Sequence, residues 1–147
     1  MPGVPHEMRT MMSGTILADL QRRAGITCII ESRVLKTWGY SESGLAELLA
    51  GRIDLLDAAG NPTLAFQASG IEGIKVRVTV KAENESQAQA LLDEEEREVR
   101  KILGDKIFAV DEETMESVVL DMLRARGLTL AVAESVTGGY VAARRTG

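Results

Sequence analysis

The chain has little cysteine, few aromatic residues and no long apolar run. Cys28 is its only cysteine, so neither a disulfide nor a cysteine-based zinc site can form within one chain. We therefore expect a reducing, cytoplasmic environment, with Cys28 as a small buried apolar residue. Aromatic residues make up 3% of the composition, so aliphatic side chains must fill the core.

The chain also lacks an excess of basic charge and any membrane-targeting segment. No stretch approaches the ~20 apolar residues that a spanning helix needs, and the N-terminus has no apolar signal segment, so we expect no membrane association. The formal net charge of −5 disfavours binding to a phosphate backbone. No pattern indicates a metal site, and we expect no cofactor within this chain.

Apolar residues recur at helical spacing in four stretches, of which three precede residue 104. The first runs from about Pro5 to Arg23 and should end at Gly25. The second is a short helix capped by Ser41 or Ser43, followed by a loop over residues 57–62. The third runs from Ser86, its predicted cap, to Leu103.

The third helix carries the most charged run of the chain, residues 93–98. Asp93–Arg97 and Glu96–Arg100 are acid-before-base pairs at i,i+4, each worth ~0.2–0.5 kcal/mol. We interpret the run as a solvated helix face and not as a metal site.

The fourth helical stretch follows Asp111, its predicted N-cap, and should end at Gly127. Its spacing predicts an apolar stripe that is buried against the rest of the protein. The stripe consists of Met115, Val118, Val119, Met122 and Leu123.

Strands are predicted between the helices, and residues 74–80 give the clearest pattern. There Val76, Val78 and Val80 alternate with polar residues, as in a strand with one buried face. The other predicted strands are Ile26 to about Lys36, Thr63 to Gln67 and Lys106 to Val110. The order over residues 26–110 predicts an α+β unit with helices on one face of a small sheet. The flanking helices would be connectors.

Residues 128–139 form the best candidate for a functional site. They read as a buried strand over 128–133, a glycine-rich turn and the first turns of a helix. Backbone N–H groups at a helix start, with hydroxyls and glycines beside them, can bind a small molecule. The Ser135 hydroxyl could attack a substrate while N–H groups stabilise an oxyanion.

Two observations favour a second interpretation, in which this segment has a structural role and not a catalytic one. A serine nucleophile needs a base, and His6 is the only histidine of the chain, far away in sequence. Ser135 and Thr137 could instead cap a helix, while Gly138 and Gly139 permit close packing. Because only eight residues follow Gly139, we expect a middle segment of a larger protein, with residues after Gly127 disordered or paired with another chain.

The Gly70-Ile-Glu-Gly73 segment has the spacing of the GXXG loop that binds RNA in KH domains. Here it lies between two predicted strands and contains Glu72, so a hairpin turn is the competing interpretation. Basic residues on the sheet give some positive charge, but no aromatic stacking residues accompany them, which disfavours nucleic acid. These basic residues are Arg33, Lys75, Arg77 and Lys81.

Taken together, several segments resemble the CinA (competence/damage-inducible protein A) family, and the resemblance covers essentially the whole chain. The most specific are Pro2-Gly-Val-Pro-His-Glu-Met8 near the start and Ala133-Glu-Ser-Val-Thr-Gly-Gly139 near the end. Between them lie Ser41–Glu47, Asn61–Thr63, Val76–Ala82 and Gly104–Asp105.

The resemblance implies three parts. Residues 1–25 would be the tail of a molybdopterin-binding-like domain, associated with ADP-ribose pyrophosphatase activity, and a connector helix. Residues 26–110 would be a central KH-like α+β domain. Residues 111–147 would begin a domain that hydrolyses nicotinamide mononucleotide to nicotinate mononucleotide and ammonia.

The resemblance also implies roles for the candidate residues. Ser135 would be the nucleophile of the complete domain, Glu134 would orient the site, and Thr137, Gly138 and Gly139 would shape the nucleotide site. Family members commonly have cysteine between the serine and threonine, where this chain has Val136. By itself the chain should be a non-catalytic module that links domains and forms dimers within a homo-oligomer. The alternative is a KH-like module that binds nucleic acid.

Overall fold

The computed structural model describes residues 4–25 and 27–146, which form the mixed α+β fold that the sequence predicts. Four strands make one antiparallel sheet in the order β2-β3-β1-β4. The strands are β1 (Ile29–Thr37), β2 (Thr63–Ala68), β3 (Ile74–Ala82) and β4 (Ile107–Val110). The predicted strand start at Ile26 lies outside the described residues.

The N-terminal helical stretch is confirmed, and it is interrupted by one π-helical segment. It comprises α1 (Pro5–Met11), the π segment Met12–Ile16 and α2 (Leu17–Ala24). Gly25 ends it in the left-handed conformation, at φ 60°, which favours glycine. Within the described residues its apolar side chains remain partly exposed, at 47% for Leu17 and 53% for Leu20.

The core lies between one face of the sheet and two long helices, α3 (Glu42–Ala59) and α4 (Glu85–Leu103). The predicted alternation in β3 is confirmed, since Val76, Val78 and Val80 are at most 1% exposed. Cys28 is half-buried and lies just before β1, outside the strand in which it was predicted.

Helix α3 is longer than predicted and includes residues 57–59 of the expected loop. Ser41 caps it as predicted, its hydroxyl accepting from the Gly44 N–H at 3.1 Å. The helix continues because Leu49 and Leu56 extend its buried stripe, and it ends at Gly60, where φ is 76°.

Helix α4 differs from prediction in its cap and in its charged face. Asn84, and not Ser86, is the cap, and its side chain accepts from the Gln87 N–H at 2.9 Å. Glu96 pairs with Arg100 as predicted, whereas Arg97 pairs with Glu94. The solvated-face interpretation is wrong in one place, because one carboxylate of the run, that of Glu95, is buried.

Helix α5 (Met115–Ala125) begins at a different cap from the predicted one. Thr114 caps it, in a reciprocal capping box with Ser117. Asp111 instead has φ 49°, and its carboxylate accepts from the Val34 N–H at 2.7 Å, which extends the pairing of β1 with β4.

The apolar stripe of α5 is not buried as predicted. Met115 and Met122 are 37% and 48% exposed, and none of the stripe is fully buried. Helix α5 packs on β4 and on α6 (Tyr140–Thr146), and these contacts leave its stripe partly exposed.

The predicted strand over residues 128–133 is absent from the described sheet. These residues have no strand partner there, and backbone pairing is what makes an extended segment a strand. The expectation of a disordered tail is also wrong, since the segment leads into α6, which packs on α5 through an ion pair between Arg144 and Glu116. Pairing with another chain stays a prediction.

Within residues 4–25 and 27–146, no helix combines the length and apolar character needed to cross a membrane.

Candidate functional site

The Glu134 carboxylate organises the glycine-rich segment before α6. Its two oxygens accept hydrogen bonds from the backbone N–H groups of Val141 and Ala142, each at 2.8 Å. One of them also accepts from the Thr137 hydroxyl at 2.6 Å. A carboxylate at this place satisfies N–H groups that the first helical turn leaves unpaired, and it opposes the positive end of the helix dipole.

This arrangement corrects two expectations for the helix start. The N–H groups of Val141 and Ala142 are occupied by Glu134, so they are not available to stabilise an oxyanion. The helix has the predicted cap, but the cap is a different residue. It is the Glu134 carboxylate, which accepts a hydrogen bond from the Thr137 hydroxyl. The sequence signal was present, since an acidic residue before a glycine-rich turn is a candidate cap.

The turn itself depends on two glycines with positive φ. Gly138 has φ 61° and Gly139 has φ 94°, backbone conformations that side chains with a Cβ rarely adopt. The Gly138 N–H donates to the Ser135 carbonyl at 3.3 Å, and the Tyr140 N–H donates to the Thr137 carbonyl, also at 3.3 Å. The chain therefore reverses direction between Ser135 and α6 over very few residues.

Ser135 lies at the exposed start of this turn, where its hydroxyl is open to solvent. Within the described residues that hydroxyl makes no hydrogen bond to a basic side chain, so an activating base is not part of the local geometry. Val136, which follows, is fully exposed and packs against nothing that would fix its identity. The structure thus brings Glu134 and Thr137 together and leaves Ser135 accessible beside them.

Helix α6 is held on α5 by a charged cluster. Arg144 forms an ion pair with Glu116, and its guanidinium lies 5.8 Å from the centre of the Tyr140 ring. The pKa of Glu116 is lowered, first by a hydrogen bond from its own backbone N–H at the helix start, then by the Thr114 hydroxyl and the Arg144 guanidinium. The ionised form of Glu116 is therefore the one that docks α6.

A cavity of about 350 Å³ opens between the ends of β1 and β4 and the helices α5 and α6. Its walls are mainly apolar, and its rim carries two half-exposed aromatic rings, Trp38 at 52% and Tyr140 at 54%. The charged residues of the lining are Lys36, Glu72, Glu116 and Arg144. Sequence reasoning missed this cavity because its walls come from segments about 100 residues apart.

The Gly70–Gly73 segment is the hairpin turn that the competing interpretation predicted, between β2 and β3. Gly73 is required there, since φ is 79° and a Cβ would lie 2.2 Å from the Thr37 carbonyl oxygen. The same Cβ would lie 3.3 Å from the Trp38 ring. This close approach places the indole ring directly against the turn.

No cluster of three or more histidine, cysteine, aspartate or glutamate side chains suited to a metal ion occurs in the part of the chain that the structure describes.

Comparison with known proteins provides relatives along almost the whole chain. A CinA-like protein of Frankia casuarinae is 44% identical over 146 residues, covering 99% of this chain and 34% of the relative. A Clostridium botulinum protein, provisionally named competence-damage inducible protein, is 38% identical over 144 residues, covering 98% of this chain and 34% of the relative. The chain thus spans about a third of the length of the curated relatives it matches.

Two family models match, on either side of residue 110. Residues 112–147, with the Glu134–Gly139 turn and α6, match the model described as the CinA C-terminal domain. Residues 32–109, more than half of the chain, match the model described as the damage-inducible protein CinA KH domain. With both matches in chain order, the chain belongs to the CinA family.

Proposed function

We propose that the protein to which this chain corresponds hydrolyses the amide of nicotinamide mononucleotide, releasing nicotinate mononucleotide and ammonia. The observation that carries the proposal is the exposed Ser135 hydroxyl at a turn that the Glu134 carboxylate holds in place. The match of residues 112–147 to the CinA C-terminal domain supports it. An amide hydrolase needs an accessible nucleophile on a fixed backbone, and this turn provides one.

In this proposal the Ser135 oxygen attacks the amide carbonyl, the C–N bond breaks and ammonia leaves with the proton taken from the hydroxyl, and water then hydrolyses the resulting ester to nicotinate mononucleotide and free Ser135. Gly138 and Gly139 let the nucleotide approach the backbone closely, because they carry no side chain beyond Cα. Glu134 and Thr137 act as positioning residues, since their carboxylate and hydroxyl are engaged with each other and with α6. The base that activates Ser135 comes from elsewhere in the complete C-terminal domain.

In the same proposal, the KH-like part serves as a linker and dimerisation element. The active protein is a cytoplasmic homo-oligomer. Its N-terminal domain also cleaves ADP-ribose. Apolar side chains that remain exposed on and after α5, outside the KH-like part, support self-association of the protein, since exposed apolar surface marks interaction sites. These are Met122, Leu128, Leu130 and Val132, between 43% and 56% exposed. Light scattering of the complete protein measures its oligomeric state, and a monomer at all concentrations would contradict this part.

The proposal is tested by ammonia release from nicotinamide mononucleotide, measured for this chain and for a protein of the relatives' full length. We expect activity in the full-length protein alone, because Ser135 has no base among the described residues. Activity in neither protein would remove the proposed function. Activity in the 147-residue chain would show that the account of what the site requires is wrong.

A further inference from the structure

The cavity between the sheet and the helices α5 and α6 has apolar walls that the proposed function does not use. These walls come from Phe108 of β4, Met115 and Val119 of α5 and Val141 of α6. Residues 134–139, which form the glycine-rich turn, do not line it. A volume of about 350 Å³ lies at the lower end of the range for small-molecule sites, so the cavity fits a compact ligand.

Two aromatic rings border the cavity and remain half-exposed. The Trp38 ring packs against the turn at Gly73, where a Cβ would lie 3.3 Å from it. The Tyr140 ring lies 5.8 Å from the guanidinium of Arg144, which helps to hold it in place. Aromatic rings at a cavity favour a flat aromatic ligand, because ring pairs gain energy beyond the burial of their area.

The carboxylates of the lining are each compensated by a neighbouring cation. Glu116 is ion-paired with Arg144, which lines the cavity as well. Glu72 is ion-paired with Lys75 at 2.8 Å and accepts from the Ser69 hydroxyl at 3.2 Å. Since each of these pairs is neutral, the two carboxylates give the cavity no preference for a cationic ligand.

Among the described residues, Lys36 is the charged member of the lining that has no ion pair. It is half-buried in β1, and its ammonium donates to the Glu113 carbonyl oxygen at 2.6 Å. An ammonium has more than one donor, so further N–H groups can reach a ligand. Because the other charges of the lining cancel in pairs, Lys36 leaves an excess of one positive charge, which favours a singly charged anion.

We propose that this cavity binds a small aromatic carboxylate. The ring of the ligand lies between the apolar walls, beside Trp38 and Tyr140, and its carboxylate accepts hydrogen bonds from the Lys36 ammonium. Removal of the ring from water supplies most of the affinity, and the charged group fixes the orientation. A neutral amide with the same ring loses the charge-assisted hydrogen bond, and a saturated acid loses the contacts between rings.

A ligand in this cavity also holds the start of α6. Val141 lines the cavity, and its backbone N–H donates to the Glu134 carboxylate at 2.8 Å. A ligand that packs against Val141 and Tyr140 therefore opposes opening of the first helical turn, because it binds only the closed form. Binding needs neither Ser135 nor hydrolysis, so this inference does not depend on the proposed function.

The test is a titration of this chain with four probes of one shape that differ in charge or in aromaticity. They are 2-naphthoate, neutral 2-naphthamide, cationic 2-naphthylmethylammonium and the saturated acid decahydro-2-naphthoate. The indole N–H signal of Trp38, the only tryptophan, reports binding by NMR. We expect 2-naphthoate to bind with a dissociation constant on the order of 10⁻⁴ M. The amide should bind about tenfold more weakly, the saturated acid about fivefold, and the ammonium more weakly than the amide.

Matched variants locate the carboxylate. Lys36→Met should weaken binding of 2-naphthoate about tenfold and leave that of 2-naphthamide unchanged, because only the carboxylate meets the ammonium. Lys81→Met is the control, since Lys81 is an exposed strand lysine that does not line the cavity, and it should change neither affinity. Tyr140→Leu keeps an apolar side chain without the ring and should weaken 2-naphthoate about fivefold. Thermal unfolding shows that the compared variants are folded.

Hydrogen exchange measures the effect on α6. With 2-naphthoate at ten times its dissociation constant, the Val141 amide should exchange about tenfold more slowly, because opening requires release of the ligand. The Gln87 amide is the matched control. It also donates to a capping side chain, that of Asn84 at 2.9 Å, but it lies at the start of α4 and does not line the cavity, so its exchange should not change.

Four outcomes would overturn the proposal. The first is no saturable binding of 2-naphthoate up to about 10⁻² M, and the second is equal or tighter binding of the amide or the ammonium. The third is equal loss of 2-naphthoate affinity in Lys36→Met and Lys81→Met, and the fourth is unchanged Val141 exchange with ligand bound. The comparison of probes uses the unaltered chain, so it decides the question without any variant. No enzymatic activity enters these measurements, and the proposed hydrolase function is tested separately by ammonia release.

Discussion

Arg52 on α3 binds the buried carboxylate of Glu95 on α4 through two of its nitrogens, with a shortest contact of 2.6 Å. The Glu95 side chain is 1% exposed and that of Arg52 is 23% exposed. The hydrogen bond to Glu95 is the main cause of a raised pKa at Arg52. The pair joins the two helices that cover the sheet, so it couples their positions.

Arg52→Met should destabilise the protein by roughly 3 kcal/mol, because it leaves the Glu95 carboxylate buried without its partner. Arg52→Met combined with Glu95→Leu should recover most of this loss, since no buried charge remains. Urea unfolding monitored by circular dichroism measures both free energies. Equal destabilisation in the single and double variants would show that the ion pair is not what the core depends on.

Local periodicity predicted much of the fold, because single strands and helices bury one face at a fixed spacing. The core positions Val76, Val78 and Val80 follow from alternation alone. Glu95 could not be separated from the surrounding acidic residues, because its burial depends on Arg52, 43 positions away. The sequence predicted too short a helix α3, because Asp57 and Gly60 are typical loop residues and α3 continues past the first of them.

The sequence singles out residues 133–139 as a candidate segment, but it does not predict the hydrogen bonds within that segment. The carboxylate of Glu134 caps α6, a contact that the sequence did not predict, and its expected role in orienting a nucleotide site stays a prediction. Several polar residues could accept hydrogen bonds from the first N–H groups of α6. The conformation of the turn decides which one does, and that conformation depends on Gly138 and Gly139. Trp38 was not predicted to matter, because its neighbours Tyr140 and Met115 are distant in sequence.

Glu134→Gln should loosen the start of α6, because an amide replaces the charged acceptor of two backbone N–H groups. We expect the exchange of the Val141 and Ala142 amides to accelerate about fivefold, in line with ~1 kcal/mol for a cap. Hydrogen exchange followed by NMR measures this directly. Glu112→Gln, at an exposed position before α5, is the matched control and should change neither amide. Unchanged exchange in Glu134→Gln would contradict the capping role.

Docking of α6 on α5 should weaken at acidic pH because of Glu116. Its pKa in the folded protein lies below the ordinary glutamate value of 4.5. The stabilisation is therefore complete above about pH 4.5 and is lost as the pH falls through the lower folded value. The Tyr140 amide signals, followed by NMR from pH 6 downwards, report the change.

Arg144→Met removes the α6 partner of Glu116, so the Tyr140 amide signals should lose the pH dependence that Glu116 gives them. Arg124→Met is the control, since its ion pair with Asp121 is exposed on both sides, at 72% and 69%. A transition that is identical in both variants would show that Arg144 does not hold Glu116.

The central claim is that Ser135 is the nucleophile of an amidohydrolase, and its most direct measurement is ammonia release by full-length protein carrying Ser135→Ala. We expect the rate to fall by at least about 10³-fold, as removal of a covalent nucleophile does, with folding unchanged because the side chain is exposed. Val136→Ala, at the fully exposed neighbouring position, should keep the full rate. Undiminished ammonia release by Ser135→Ala in an otherwise active protein would contradict the account.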